Sequence, residues 1–351
     1  MAAIGNYYFA SGDAAGLAGS WEQIKALVAA RLAYIDPVSG LMAGETASYF
    51  LGPVNGSAVT ALSAYALRGL VPLAEAYGDS EASTLYTTIA DELSAAINRE
   101  LWNPELGVYS LSLDAPSNFS LTAIAFTILS GTANASQAAS MVAKMPELRL
   151  GCGYKTGSGD VDSATYELSP NTQGFLLEAL FKAHRDLRVQ SLMVAKSLLD
   201  NFWSKMVTQN EYHSGASWEY VYPDGAPGIG LFTSLAHPWG AAPTYVLPEY
   251  VLGIRATSPG FETWEFAPLL QGLGLTEANG TVVTPFGAIE ASWQVVEDGK
   301  GAVISVNVPG GTAGTLILAG RAEGEYEGQN YHGGHVPLRG GRQQTIHMHR
   351  W

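Results

Sequence analysis

Two short segments carry residues whose types and spacing can do chemistry. In the run Gly215-Ala216-Ser217-Trp218-Glu219-Tyr220 a carboxylate sits directly after an indole. A carboxylate can polarise a water or take a proton, and an aromatic face stacks on the apolar face of a pyranose. Tyr212, Tyr220 and Tyr222 add polar aromatic groups to the same stretch. An isolated Trp-Glu pair is more often a core indole beside a solvated carboxylate, so the pair alone does not fix a function. His237, in Ala236-His237-Pro238-Trp239-Gly240, falls at a predicted helix start, where Pro238 suits the first turn. Its imidazole can hydrogen-bond a ligand hydroxyl there, although a lone histidine is more often structural. A third segment, Glu249 to Phe261, reads as structural: a helix end capped by Gly253, with Arg255 expected to pair with a carboxylate between domains.

The elements that must position these residues are mostly helices. Apolar residues recur at helical spacing over Ser20–Ile35, Ser57–Tyr77 and Ser80–Leu101, with Pro72 expected to kink the second. Weaker patterns cover Asn118–Ser130, Ala135–Met145, Pro170–His184, Val189–Met206 and Phe232–Leu252. Roughly eight helices joined by turn-rich loops suggest stacked helical hairpins. The loop from Val207 to Leu231 is long, aromatic and glycine-rich, and loops of that kind are often functional. After Gly253 the pattern changes to short alternating strands: Thr281–Val283, Ala288–Val296, Ala302–Val308, Gly314–Ala319 and Gln343–Met348. Turns are expected at Glu297–Gly301, Pro309–Gly311 and Gly333-Gly334. The chain therefore divides into a helical part, residues 1–255, and a β-part, residues 256–351.

Composition narrows the partners. The 351 residues carry a net charge of -14 with no basic cluster. Nucleic acid and anionic membrane surfaces, which need Lys/Arg patches, are therefore not expected. A neutral ligand such as a sugar fits this balance. The single cysteine, Cys152, is expected to be a structural thiol, and neither a metal nor another cofactor is expected. No apolar run is expected to span a membrane, and the N-terminus lacks the features of a signal peptide. Four glycosylation sequons, at Asn55, Asn118, Asn134 and Asn279, would suit an extracellular protein, though chance alone accounts for them as readily.

In combination the segments are specific. SWEYVYPDG, then SLAHPWGAAPTYVLPEYVLGIRATSPGFETWEFAP, then VVTPFGAIEASW resembles the C-terminal signature of the α-L-rhamnosidases, of the fungal type. Upstream, LWNPELGVYSLS, NFSLTAIAFTILSGTA and LSPNTQGFLLEALFKA are similar to the barrel helices of that family. The resemblance implies an α+β multidomain chain: an incomplete (α/α)6 six-hairpin toroid followed by a C-terminal antiparallel β-sandwich. It implies inverting hydrolysis of terminal α-L-rhamnosyl groups, with Glu219 as general base. It further implies that His237, Trp218, Trp239 and Tyr220 contact the sugar.

The general acid of the family lies near a Trp-x-Gly-Asp motif that is not found in this chain, and Glu45, the nearest acidic residue to the equivalent stretch, is not assigned that role. Met1 is accordingly expected to lie inside a longer parental protein. Uncovered toroid faces would then favour self-association. Two other readings stand beside this one: a sugar-binding protein without catalysis, and another six-hairpin glycosidase or a polysaccharide lyase.

Overall fold

The computed structural model describes residues 1–43, 50–209, 211–296 and 299–350. It divides into two compact units: Gly19–Pro243 with Met1–Ala2, and Thr244–Trp351 with Ala3–Ala18. The division falls ahead of the change in sequence pattern at Ala256. The helical residues 247–252 bind the sheet: Val251 accepts the Trp293 indole N–H at 3.1 Å, and Leu252 lies against Gly280.

The helical unit repeats one local plan. A helix, Ser57–Ala76, turns back through a second, Ser80–Glu100, and leads to a two-residue hairpin, β1 (Trp102–Asn103) and β2 (Val108–Tyr109). The plan recurs with helices Leu121–Leu129 and Ala135–Ala143 and the hairpin β3 (Arg149–Leu150) and β4 (Gly153–Tyr154). It begins a third time with Pro170–Leu187 and Leu192–Leu198, the latter running on as π-turns over 199–203 and 205–209.

The first helix of each repeat packs on the first helix of the next. Their buried faces are Leu67, Leu70, Ile124, Phe126, Leu177 and Leu180, all withdrawn from water. Burying each such side chain favours the fold by about 1.5–3 kcal/mol. Local chemistry starts the helices as well. Asn134 and Gln137 form a reciprocal capping box, and Ser120 accepts the Ala123 N–H at 3.1 Å.

Single β-bridges stitch the beginnings of these helices to the loop that follows: Gly56 to Ser112, Ser120 to Gly157, and Leu168 to Val221. The beginnings of the helices Ser57–Ala76, Leu121–Leu129 and Pro170–Leu187 are thereby brought to loops of one kind, and the third such loop carries Glu219.

Several expectations change. The helix Ser57–Ala76 carries Pro72, the expected kink position, within its length. By length and composition alone it would serve as a membrane span, contrary to the sequence reading, but 67% of its most apolar window is buried. The helix Ala2–Ser11 escaped the pattern analysis because only Gly5 and Tyr8 of its residues are buried, too few to set a period. The helix expected from Phe232 begins as an α-helix only at Ala242. Backbone groups before it are already committed elsewhere: Ser234 accepts the Glu219 N–H at 2.9 Å and His237 donates to Ser217 at 2.7 Å.

The sequons also differ from one another. The Asn134 side chain is consumed by its helix cap, and Asn55 Oδ1, at a residue with φ 54, is buried with no partner among the described residues. Asn279 is exposed.

The second unit holds one eight-stranded sheet. Its strands are β5 (Ile254–Ala256), β6 (Thr263–Phe266), β7 (Glu277–Thr284), β8 (Gly287–Val295), β9 (Ala302–Val308), β10 (Ala313–Tyr326), β11 (Gln329–Leu338) and β12 (Arg342–Arg350). They pair in the order β5-β6-β10-β12-β9-β8-β7, with β11 added to β10. The strands alternate as expected: Ile289, Ala291 and Trp293 point inward while Glu290 and Gln294 are exposed.

The ladder is antiparallel except between β6 and β10, which run parallel. That pair departs from the expected all-antiparallel arrangement; the long connection through β7, β8 and β9 allows the strand to return in the same direction. Strand β11 was not expected. Gly333-Gly334 lies inside it, at a register shift opposite 318–323 of β10, rather than in a turn. The actual turn is Glu327-Gly328, at φ 52 and 75, a left-handed pair joining Tyr326 to Gln329. Arg255 pairs with Glu265 on the neighbouring strand β6, within one unit and not across two. The expected turn residues Glu297 and Asp298 lie outside the described residues.

Asp79 ties two helices of the first unit together. Its carboxylate accepts the Ala82 N–H at 3.0 Å, capping Ser80–Glu100, and also receives the Trp21 indole at 3.0 Å and Lys25 at 3.1 Å from Trp21–Leu32. The Ala82 amide, then Trp21 and Lys25, hold its carboxyl below the usual value. A carboxyl so lowered contributes stability above its unfolded pKa and loses it as pH falls through the folded value. The melting temperature of the protein should therefore fall on acidification through the carboxylate range more than that of Asp79→Asn; parallel falls would remove Asp79 from the acid response.

Candidate functional site

The loop after the third helical repeat folds back on the start of the helix Pro170–Leu187. Leu168 and Val221 exchange two backbone hydrogen bonds of 2.9 Å. A tight turn follows, with Tyr222 donating to Ala226 at 2.8 Å and Gly228 donating to Tyr220 at 3.0 Å. Gly228 is required there, since a Cβ would come within 2.5 Å of the Tyr220 Cβ. The chain then returns past Glu219 from the other side. Glu219 N–H donates to Ser234 O at 2.9 Å, and Ser234 N–H donates to the Glu219 carboxylate Oε2 at 3.2 Å. The Trp239 indole N–H donates to Glu219 O at 2.9 Å. Backbone and side chain of Glu219 are thus both held, and the residue remains half-buried.

Trp239 is the centre of an aromatic group. Tyr220 lies edge-on to it at 5.3 Å, Phe50 edge-on at 5.5 Å, and the His237 ring is tilted against it at 4.5 Å. Edge-to-face contacts of this kind hold ring orientation as well as bury area. His237 is half-buried and stands immediately before the 3₁₀ turn Pro238–Gly240, as its expected place at a helix start requires. Gly240 packs closely against the frame: a Cβ there would meet Pro170 and Ser217 at 2.9 Å. Its carbonyl accepts the buried Trp203 indole N–H at 2.9 Å.

The structure therefore brings together Glu219, Tyr220, His237 and Trp239. It gives Trp218 a different part. Trp218 is fully buried at 0% exposure, its indole N–H donates to Ser214 Oγ at 3.0 Å, and no ring face is open to a sugar. Its side chain is turned into the core, while Glu219 beside it stays half-buried. The expectation of Trp218 as a sugar contact is corrected: it anchors the loop.

Cys152 is buried, with its thiol pushed up to about 11 by burial and donating to Tyr222 O at 3.5 Å, so it has no thiolate to use near neutral pH. Among the described residues no group of three His, Cys, Asp or Glu is placed to hold a metal. Glu45 lies outside the described residues.

Two residues escaped the sequence reading. Ser234 contributes only its backbone, which leaves no signature in a sequence. Ser169 is 1% exposed, precedes the helix Pro170–Leu187, and its Oγ has no hydrogen-bond partner among the described residues. The Leu168–Val221 bridge places it across from Tyr220. An N-cap-type serine before proline was visible in the sequence, but not the lack of a partner. Two cavities lie elsewhere: one is lined by Ile35, Ile89, Leu93 and Arg99, the other lies on the sheet.

Residues 253–333 match the bacterial alpha-L-rhamnosidase C-terminal domain. No curated protein matches in sequence. Among solved structures the chain is similar to the GH78 family rhamnosidase of Bacillus sp. GL1, with a TM-score of 0.65, 24% identity, and coverage of 89% of this chain and 33% of that one. The α-L-rhamnosidase of Dictyoglomus thermophilum gives a TM-score of 0.70 at 16% identity, covering 99% of this chain and 39% of that one. The Streptomyces avermitilis α-L-rhamnosidase complexed with L-rhamnose gives 0.69 at 16% identity, covering 97% and 31%. The chain spans about a third of the length of these structures. The resemblance of the chain to the C-terminal part of α-L-rhamnosidases is upheld, in the matched domain and in the fold. The matching domain is described for bacterial enzymes, whereas the sequence motifs leaned toward fungal ones.

Trp218 and Trp239 should separate in unfolding experiments. Trp218→Ala empties a fully buried site and should cost about 3–5 kcal/mol in denaturant unfolding. Trp239→Phe keeps most of the ring and removes one hydrogen bond, costing about 1 kcal/mol. Equal losses would contradict the division of anchor and site residue.

Proposed function

We propose that this chain supplies part of the active site of an α-L-rhamnosidase-type glycoside hydrolase, with Glu219 as the general base. The observation that carries the reading is the double hold on Glu219. The Ser234 amide orients one carboxylate oxygen, the Trp239 indole fixes the backbone, and the residue stays half-buried beside Tyr220 and His237. A base must keep its geometry while remaining reachable by water, and this arrangement supports both. The similar Streptomyces avermitilis α-L-rhamnosidase is complexed with L-rhamnose, which supports a neutral sugar as the ligand.

In the inverting mechanism Glu219 takes the proton from a water as that water attacks the anomeric carbon. A second carboxyl, roughly 6.5–9.5 Å away, protonates the departing oxygen. That acid is not assigned within this chain. His237 offers a hydrogen bond to a ring hydroxyl, and Trp239 and Tyr220 offer aromatic faces and edges.

The same reading carries three further proposals. The helical repeats form part of a six-hairpin toroid, the sheet folds as a sandwich, and the protein is extracellular. Self-association also belongs to it: Leu231 and Phe232, beside the Glu219 clamp, are 104% and 88% exposed, and an apolar pair so placed favours a partner. Light scattering should show association, and a monodisperse monomer would count against that proposal.

A second reading, sugar binding without hydrolysis, is favoured by the lack of a Trp-x-Gly-Asp motif in the sequence. Hydrolysis of 4-nitrophenyl α-L-rhamnopyranoside and binding of L-rhamnose decide between the two. Turnover that gives the inverted anomer and falls about 10²–10⁴-fold in Glu219→Gln supports the base assignment. Turnover unchanged in Glu219→Gln removes it. Binding that weakens in His237→Ala, with no turnover, leaves the second reading; neither binding nor turnover overturns both.

A further inference from the structure

The outer face of the sheet carries a polar groove of about 270 Å³, lined across β7, β8, β9 and β12. Strand register sorts its side chains into two rows. One row is Asn279, Ser292 and Ser305, extended past the groove by Thr345, and the other is Thr281, Glu290, Asn307 and Gln343. Strand spacing sets successive members of a row about 4.8 Å apart, on the scale of one sugar ring. The small Ser292 and Ser305 form the low centre, and the longer Asn307, Gln343 and Glu290 stand along its side.

Two features set this face apart from an ordinary solvated one. Neither row contains a lysine or arginine, and Glu290 is the one charged side chain in them. Its hydrogen-bonding groups are also hardly used. Asn307 Nδ2 donates to Glu290 Oε2 at 3.4 Å, and Ser305 and Thr345 share a bond of 3.4 Å. The side chains of Asn279, Thr281, Ser292 and Gln343 make no hydrogen bond among the described residues. Seven neutral hydroxyl or amide groups and one carboxylate are therefore held in register, open to a ligand. Planar amides pair with a donor and an acceptor together, and a carboxylate accepts from two adjacent hydroxyls.

We infer that this groove is a second binding site, for a neutral oligosaccharide laid across the strands. It belongs to the sheet unit, and the inference does not depend on Glu219. The lining has no aromatic ring for stacking, so affinity should be in the millimolar range.

The test uses the full chain from a bacterial host, so that no glycan on Asn279 fills the groove. Cellotetraose, xylotetraose, mannotetraose and L-rhamnose are titrated singly by saturation-transfer NMR. At least one tetrasaccharide should bind, and the double variant Asn307→Ala/Gln343→Ala should weaken it about tenfold or more at an unchanged melting temperature. Ser305→Tyr, which fills the centre, should abolish binding, while Trp239→Phe should leave it intact. No tetrasaccharide signal up to about 10 mM, or equal binding by the parent, the double variant and Ser305→Tyr, would overturn the inference.

Discussion

Two backbone hydrogen bonds between Leu168 and Val221 fix the loop that carries Glu219. They fasten a long, glycine-rich loop to the start of a buried helix. Without them the segment Val207–Leu231 would carry its aromatic residues and its carboxylate on a free strap, with the conformational entropy of such a strap opposing any fixed site. With them, Glu219 stands two residues from an anchored point, and the return strand can close on it through Ser234 and Trp239. The helix Pro170–Leu187 is itself fixed by burial of Leu176, Leu177 and Leu180, so the rigidity of the core reaches the loop through one short bridge.

The same device occurs at each repeat. Gly56 with Ser112 and Ser120 with Gly157 are equivalent bridges, each tying the start of a buried helix to the loop after the next small hairpin. A repeating unit that pairs two helices and then a hairpin cannot cover its apolar side alone, so stacking of neighbours follows from burial. The bridges then bring the loops to the beginnings of the packed helices. The third of these loops is the one that brings a carboxylate, an imidazole and two half-buried aromatic rings together, and the candidate site lies there.

The sheet unit obeys a different constraint. Alternation turns Ile289, Trp293, Ile304 and Ile346 inward, and the parallel entry of β6 beside β10 sets Trp264 against Gly314, where a Cβ would come within 2.5 Å of the ring. Inward packing fixes the register, and register then fixes which polar groups stand side by side outside. The order of the outer rows is thus a consequence of the core.

The helices with strong periodicity, the alternating strands and the segments around Glu219 and His237 were legible in the amino-acid sequence, because each of these signals is local. Capping chemistry, helical spacing and alternation are written in neighbouring residues. Weak amphipathicity hid the helix Ala2–Ser11, and a left-handed Glu327-Gly328 turn, less familiar than Asn-Gly, hid β11. Folding in three dimensions separates Trp218, fully buried, from Trp239, half-buried against Glu219, Tyr220 and His237. Both are indoles beside candidate residues, and what separates them is burial and a hydrogen-bond partner twenty residues away in sequence for Trp239 against four for Trp218. The role of Ser234 was likewise settled by a backbone amide, which every residue but proline possesses, so that position in space, and not side-chain identity, assigns it.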